Sequence, residues 1–166
     1  LGLGRLAPAP AATLLPLRHV LRALAHEGGS GTFAPVAEIV NPDSLAPPRG
    51  YSNGVVLTGS RTLFVAGQIG WTRESKLVSD ELTAQFDQAL ANVMDVVRAA
   101  GGEAEHIGRL TLYVTDKRRY LAETRAIGAA YRKHMGKHFP AMALVEVADL
   151  LEDGALVEIE ATAVLP

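Results

Sequence analysis

The spacing of apolar residues changes period along this chain, and each change marks an element. Leu82, Phe86, Ala89, Leu90, Val93 and Val97 recur at steps of three and four, which places them on one face of a helix of about five turns. Ser79 or Asp80 stands where an N-cap belongs, and Gly101-Gly102 supplies the stop. Over 107–115 the period drops to two, the pattern of a strand. Asp116 then caps a second helix with Tyr120, Thr124, Ile127, Tyr131 and Met135 on one face and Gly136 at its end. Ahead of the first helix, 36–40 reads as a strand that stops at Asn41-Pro42. Residues 55–58 and 62–66 read as two more strands, joined as a hairpin by Gly59-Ser60-Arg61. Two closing strands, 141–148 and 155–164, flank the acidic turn Leu151-Glu152-Asp153-Gly154.

The order β-β-β-α-β-α-β-β makes this an α+β domain. Two amphipathic helices cannot cover both faces of a six-stranded sheet, so they are expected side by side on one face. Oligomerisation is the natural cover for the other. The last strand supports this division: Ala155, Val157, Ile159, Ala161 and Ala163 point one way, and Leu156, Glu158, Glu160, Thr162 and Val164 the other. A mixed face that carries carboxylates suits a subunit contact containing pockets better than a dry core, because charges are rarely buried without partners.

Composition narrows the functional classes. A chain of 166 residues, 48% hydrophobic, has enough material for one core and gives little reason for two. With 16 Lys plus Arg against 18 Asp plus Glu and no dense basic run, nucleic acid is not indicated as a partner. The absence of cysteine removes disulfides, thiolate catalysis and Cys-ligated metals. No apolar run approaches the roughly 20 residues that span a bilayer, so a membrane is not expected as a partner and a cytoplasmic location is. Residues 1–34 differ from the rest, being rich in Ala, Leu, Pro and Gly with no acid before Glu27, and are read as an extension or leader ahead of a domain over 35–166. Leu14, Leu17, Leu21 and Leu24 with Arg18 and Arg22 between them would suit an organelle-targeting helix, but the segment lacks the serine enrichment of transit peptides, which favours a solvated tail, a short helix packed on the domain, or residues translated from upstream of the true start.

Several segments carry a family resemblance when taken in order. These are Tyr51-Ser52-Asn53-Gly54, Phe64-Val65-Ala66-Gly67-Gln68-Ile69, Ala89-x-x-Asn92, Gly101-Gly102 and Tyr113-Val114-Thr115-Asp116. Phe139-Pro140-Ala141-Met142-Ala143-Leu144 and Val157-Glu158-Ile159-Glu160-Ala161 complete the series. Together they resemble the Rid (YjgF-type, reactive intermediate deaminase) family, whose best-known members hydrolyse enamines and imines to ketones and ammonia. The resemblance implies a chorismate-mutase-like fold with a mixed sheet, a homotrimer, and ligand clefts between subunits. It implies Glu158 as the residue that positions and activates water, with Tyr51, Gly67, Tyr113, Met142 and the backbone of Leu144 lining the cleft. It implies no cofactor and no metal, only a small-molecule substrate. Met142 departs from the pattern, since the deaminating members carry an arginine there to hold a substrate carboxylate.

Each residue also has an ordinary explanation. Glu158 and Glu160 are acids on one strand face, where solvation or pairing is usual. Gly67 suits a strand-end turn, Tyr51 a packing aromatic, and Met142 a flexible core or pocket wall. His106, His134 and His138 lack the spacing of a shared metal face, since His134 and His138 are separated by the helix stop at Gly136. No phosphate-binding glycine loop or Gly-x-Ser-x-Gly elbow is present. Loss of the arginine predicts poor binding of small 2-imino acids and leaves room for a larger enamine, such as an aminomuconate-like dienamine with Arg49 as an alternative cation. The competing reading is a non-catalytic trimer that binds a metabolite or partner protein in the same clefts.

Overall fold

The computed structural model describes residues 37–166 apart from Asp43 and Ala46; the extension assigned to 1–34 lies outside them. The elements run β1 (Ala37–Val40), β2 (Gly54–Leu57), β3 (Arg61–Ile69), α1 (Leu82–Ala99), β4 (Ile107–Val114), α2 (Lys117–Ala122), α3 (Thr124–Met135), β5 (Ala141–Glu146) and β6 (Val157–Leu165). A 3-10 turn, Ala104–His106, leads into β4. Among the described residues there are six strands, and they do not lie in one sheet. Four form a mixed sheet in the order β3-β6-β4-β5, in which only β4 and β5 run parallel, while β1 and β2 make a separate two-stranded ribbon.

The expected hairpin between the second and third strands does not form. β2 pairs with β1, and β3 pairs with β6 from Arg61↔Leu165 to Ile69↔Glu158. Ser60 instead donates its N–H to the Leu165 carbonyl at 2.9 Å, so the connection crosses the end of β6. The long-range pairing wins because it sets Leu63 and Val65 beside Ala163 and Ala161, which are buried in the core. A short turn is only a local preference, and burial beneath a helix outweighs it.

The core lies between the four-stranded sheet and the helices. Leu82, Phe86, Ala89, Leu90, Val93 and Val97, the face expected from their spacing, are all buried. In β6 Val157, Ile159, Ala161, Ala163 and Leu165 are buried in strict alternation, and Ala155, two residues ahead of the strand rather than in it, is buried as well. Burying a side chain such as Leu90 or Phe86 contributes about 1.5–3 kcal/mol. The fully buried Gln85 is satisfied at every polar atom: its amide nitrogen donates to the Ser79 and Gly154 carbonyls at 2.8 and 2.9 Å, and its oxygen accepts from the Leu156 N–H at 2.8 Å. That residue pins two loops to the start of α1.

The C-terminal end of α1 follows the sequence expectation and the N-terminal end does not. The Gly101-Gly102 stop closes α1 through a Schellman pair, Gly102 N–H to Val97 O and Gly101 N–H to Arg98 O, both 2.9 Å, with Gly101 at φ +85°. Neither Ser79 nor Asp80 caps the start; the N-cap is Glu81, which makes no side-chain cap bond, and Ser79 Oγ accepts from the Glu81 N–H at 3.1 Å. The orphan donor at Thr83 is taken by Glu123, whose Oε2 accepts from Thr83 N at 3.2 Å and from Thr83 Oγ1 at 2.6 Å. The second predicted helix is accordingly broken at Glu123, which leaves helical geometry at φ −98°, ψ 7° and divides it into α2 and α3. Asp116 caps α2 as expected, accepting from the N–H groups of Arg118 and Arg119 at 2.8 and 3.0 Å.

Candidate functional site

The sheet face turned away from the helices is where the carboxylates stand. In the β4–β6 register Tyr113 is paired with Glu158, Thr111 with Glu160 and Arg109 with Thr162, and partners across a ladder point to the same side. Tyr113 donates its hydroxyl to Glu160 Oε2 at 3.1 Å. This bond to an anion, foremost among the causes, pushes the Tyr113 phenol above its ordinary range. Glu158 lies differently. Its carboxylate occupies the space over Gly67, where any added Cβ would collide with Oε1 and stand 2.6 Å from Cδ and 2.9 Å from Cγ. Gly67 is therefore the seat of the Glu158 side chain, at the β-bulge between Val65 and Gln68 that re-aims the end of β3.

On the same face a depression of about 390 Å³ is lined by Phe64, Ala66, Arg109, Thr111, Glu160 and Thr162. Phe64 is 77% exposed there. This large aromatic stands in water beside two exposed charges, Arg109 and Glu160.

Tyr51, Met142 and Leu144 belong to a second group. Ser52 anchors it, bridging to Ala141, donating its N–H to the Pro140 carbonyl at 3.1 Å and its hydroxyl to the Phe139 carbonyl at 2.7 Å. That clasp brings Tyr51 to the start of β5. Tyr51, Met142 and Leu144 line a pocket of about 410 Å³ together with Arg49, Lys117, Tyr120 and Leu121. Met142 and Leu144 are register partners of Leu110 and Leu112, both buried under the helices, so their side chains lie on the helical side of the sheet. Burial pushes the Tyr120 phenol upward.

Within one chain, then, the expected cleft is divided. Gly67, Tyr113 and Glu158 are on the open face, and Tyr51, Met142 and Leu144 are on the other side at the β5 edge. Lys117, Tyr120 and Leu121 were not singled out from the sequence, because a lysine after a helix cap and two residues of a short helix carry no motif; only the α2–β5 packing reveals them.

Other features of the motif series turn out to be joints. Asn92 donates its amide to the Ile69 and Trp71 carbonyls at 3.1 and 3.0 Å, tying α1 to the end of β3. The histidines are dispersed: His106 Nδ1 accepts from Glu103 N–H at 2.8 Å, His134 Nε2 lies 2.7 Å from Asp87 Oδ1, and His138 Nε2 lies 2.7 Å from the Ile107 carbonyl. Among the described residues no group of His, Asp or Glu could hold a metal ion. No helix among them is long and apolar enough to cross a membrane.

A mixed four-stranded sheet with helices on one face and a Gly–Glu pair on the other is an α+β architecture. The family model described as Endoribonuclease L-PSP matches residues 41–165. Over 126 residues the chain is 36% identical to a 2-iminobutanoate/2-iminopropanoate deaminase of Salmonella typhimurium, covering 74% of this chain and 91% of the relative. It is 31% identical over 124 residues to the human protein of the same name, covering 74% and 83%. Among solved structures it superposes on YyfB of Yersinia pestis, described as a Rid-family protein of unknown function, with TM-score 0.70 and 34% identity over 78% of this chain and 98% of the other. The chain belongs to the Rid/YjgF family, the family its motif series resembles.

Proposed function

We propose that the protein is a hydrolytic deaminase of reactive enamines or imines, working as a homotrimer whose clefts are completed by two copies. The observation that carries this is the division of the site: Glu158 on Gly67 faces outward on one surface, while the Tyr51–Met142–Leu144 wall faces outward on another. The exposed Phe64 and the polar row beside it supply a face for a second copy to cover. Relatives named as iminobutanoate and iminopropanoate deaminases support the reaction class.

The chemistry asks little of the protein. An imine carbon is already electrophilic, and its nitrogen leaves as ammonia. Water attacks that carbon while the Glu158 carboxylate takes one of its protons and passes it to the nitrogen; the carbinolamine hydroxyl then gives up the second proton, again through the carboxylate, to the departing nitrogen as the C–N bond breaks, and a ketone and ammonia result. Such general acid–base assistance is worth about 10²–10⁴ in rate. Gly67 lets the carboxylate lie against the backbone at the bulge, where the substrate would be held close to it.

Met142 shapes the specificity. An arginine–carboxylate pair contributes about 1.5–3 kcal/mol, roughly tenfold to a hundredfold in binding, and a thioether contributes none of it. Small 2-imino acids are therefore expected to be weak substrates here. The same substitution favours the second reading, a trimer that binds a metabolite without turning it over. The basic run that ribonuclease chemistry would call for is lacking in the sequence.

Subunit mixing tests the proposal. Glu158→Gln and Leu144→Glu are each expected to abolish release of ammonia from imines generated in situ. Mixed trimers, verified by native mass spectrometry, are expected to regain part of the wild-type rate, because some clefts then pair an intact wall with an intact glutamate. Mixed trimers as inactive as the parents would place the whole site within one chain.

A further inference from the structure

The pocket at the β5 edge has a chemical character that the deaminase reading leaves undetermined. Its body is sulfur and carbon, from Met142, Leu144, Leu121 and the Tyr120 ring, and two cations, Arg49 and Lys117, stand in its lining. Among the described residues no carboxylate lines it. Its volume of about 410 Å³ falls in the range of ~300–1,000 Å³ that encloses ligands much larger than a three-carbon acid.

Lys117 is placed by its surroundings. Asp116 caps the helix that Lys117 begins, and the Lys117 N–H donates to Glu146 Oε1 at 3.1 Å, so the backbone is fixed at the pocket mouth. The ammonium touches Glu146 Oε2 only loosely, at 3.4 Å, and its side chain is 59% exposed. An ammonium has three donors, and this one contact leaves others for an incoming anion.

We infer that Lys117 is the carboxylate-binding cation of this pocket and that the substrate class is 2-imino acids with a bulky apolar side chain, aromatic or branched. The carboxylate meets Lys117 at the mouth, and the side chain lies against Met142, Leu144 and Leu121. Met142 is then a wall for the substrate's carbon skeleton, in the place where the family resemblance implies an arginine. A pyruvate-sized imine would reach the cation but leave the wall wet, forfeiting roughly fourfold in binding for each CH₂ not buried. This inference rests on the deaminase reading for the word substrate, but the pocket itself is tested by binding alone.

The probes are the keto acids phenylpyruvate and pyruvate, titrated calorimetrically into the full chain, alongside imines generated in situ by an amino-acid oxidase from phenylalanine and from alanine. Phenylpyruvate is expected to bind at least tenfold more tightly than pyruvate. Lys117→Ala is expected to raise its Kd roughly tenfold, in line with the loss of a charge-assisted contact at an exposed site, and Lys117→Arg to restore it. In turnover, Lys117→Ala is expected to raise KM for the phenylalanine-derived imine while leaving kcat within about twofold, the signature of lost uniform binding. Binding of phenylpyruvate that depends on Lys117, with no imine turned over, would uphold the inference and refute the deaminase reading. Turnover that is indifferent to Lys117, or that favours the alanine-derived imine, would overturn the inference and leave the deaminase reading standing.

Discussion

Replacing Gly67 with alanine adds a single methyl group where the Glu158 carboxylate now lies. The backbone at Gly67 is outside the left-handed region, so alanine can adopt it without strain. The obstruction is the carboxylate itself, since the added Cβ would overlap Oε1 and approach Cδ to 2.6 Å. Glu158 is the flexible partner and must swing off the bulge, at a cost of about 0.5–1.5 kcal/mol for a displaced rotamer. For a chain of this size that corresponds to a fall in Tm of roughly 1–6 °C. Catalysis is expected to suffer far more, because a general base moved from its position loses about a hundredfold or more in rate, equivalent to about 2.7 kcal/mol in the barrier. The assay compares Gly67→Ala, Glu158→Gln and the double variant for ammonia release, with melting curves for each. The double variant is expected to be no slower than Glu158→Gln alone, because both changes remove the same function. A Gly67→Ala protein with wild-type turnover, or a double variant whose losses multiply, would refute the assignment of Gly67 as the seat of a catalytic carboxylate.

Other consequences can be checked on the purified protein. Gln85→Leu strands the Ser79 and Gly154 carbonyls and the Leu156 N–H; a loss of about 3 kcal/mol is expected, read as a lower midpoint in urea denaturation. Glu123 is held below the ordinary glutamate value, first by the Thr83 hydroxyl and then by Arg119. Its contribution to stability is therefore present above the unfolded value and lost as pH falls through the lower folded one. Melting curves of wild type and Glu123→Gln are accordingly expected to separate at neutrality and to draw together as the pH falls through the lowered folded value. Phe64→Asp places a charge on the open sheet face without touching the core; light scattering is expected to report a trimer for wild type and dissociation for the variant, and an unchanged mass would show that this face is not the contact.

Much of the fold was legible because burial imposes a period. The alternation Ala155, Val157, Ile159, Ala161, Ala163 could only be one strand face, and the steps from Leu82 to Val97 could only be one helix face. The pairing of strands was less so. Gly59-Ser60-Arg61 has the composition of a hairpin, yet β3 needed the partner that shares its place under α1, and nothing local to the turn carries that information. The broken second helix was hidden for a similar reason. Glu123 has good helix propensity, and only its bonds to Thr83, forty residues away, explain why the backbone departs there. In the site, the family motifs named Glu158, Gly67 and Met142, but a linear order cannot show that they lie on opposite faces of a sheet. Lys117 was invisible for want of any motif, and it acquires meaning only through the β5 edge beside it.

The most direct test of the central claim is the rate of ammonia release from imines generated in situ from a panel of amino acids, measured with wild type and Glu158→Gln at equal concentration. The account predicts that wild type accelerates hydrolysis of at least one imine above the uncatalysed rate, with Glu158→Gln slower by about a hundredfold or more. Wild type without effect on any imine, or a Glu158→Gln variant that keeps full activity, would contradict it.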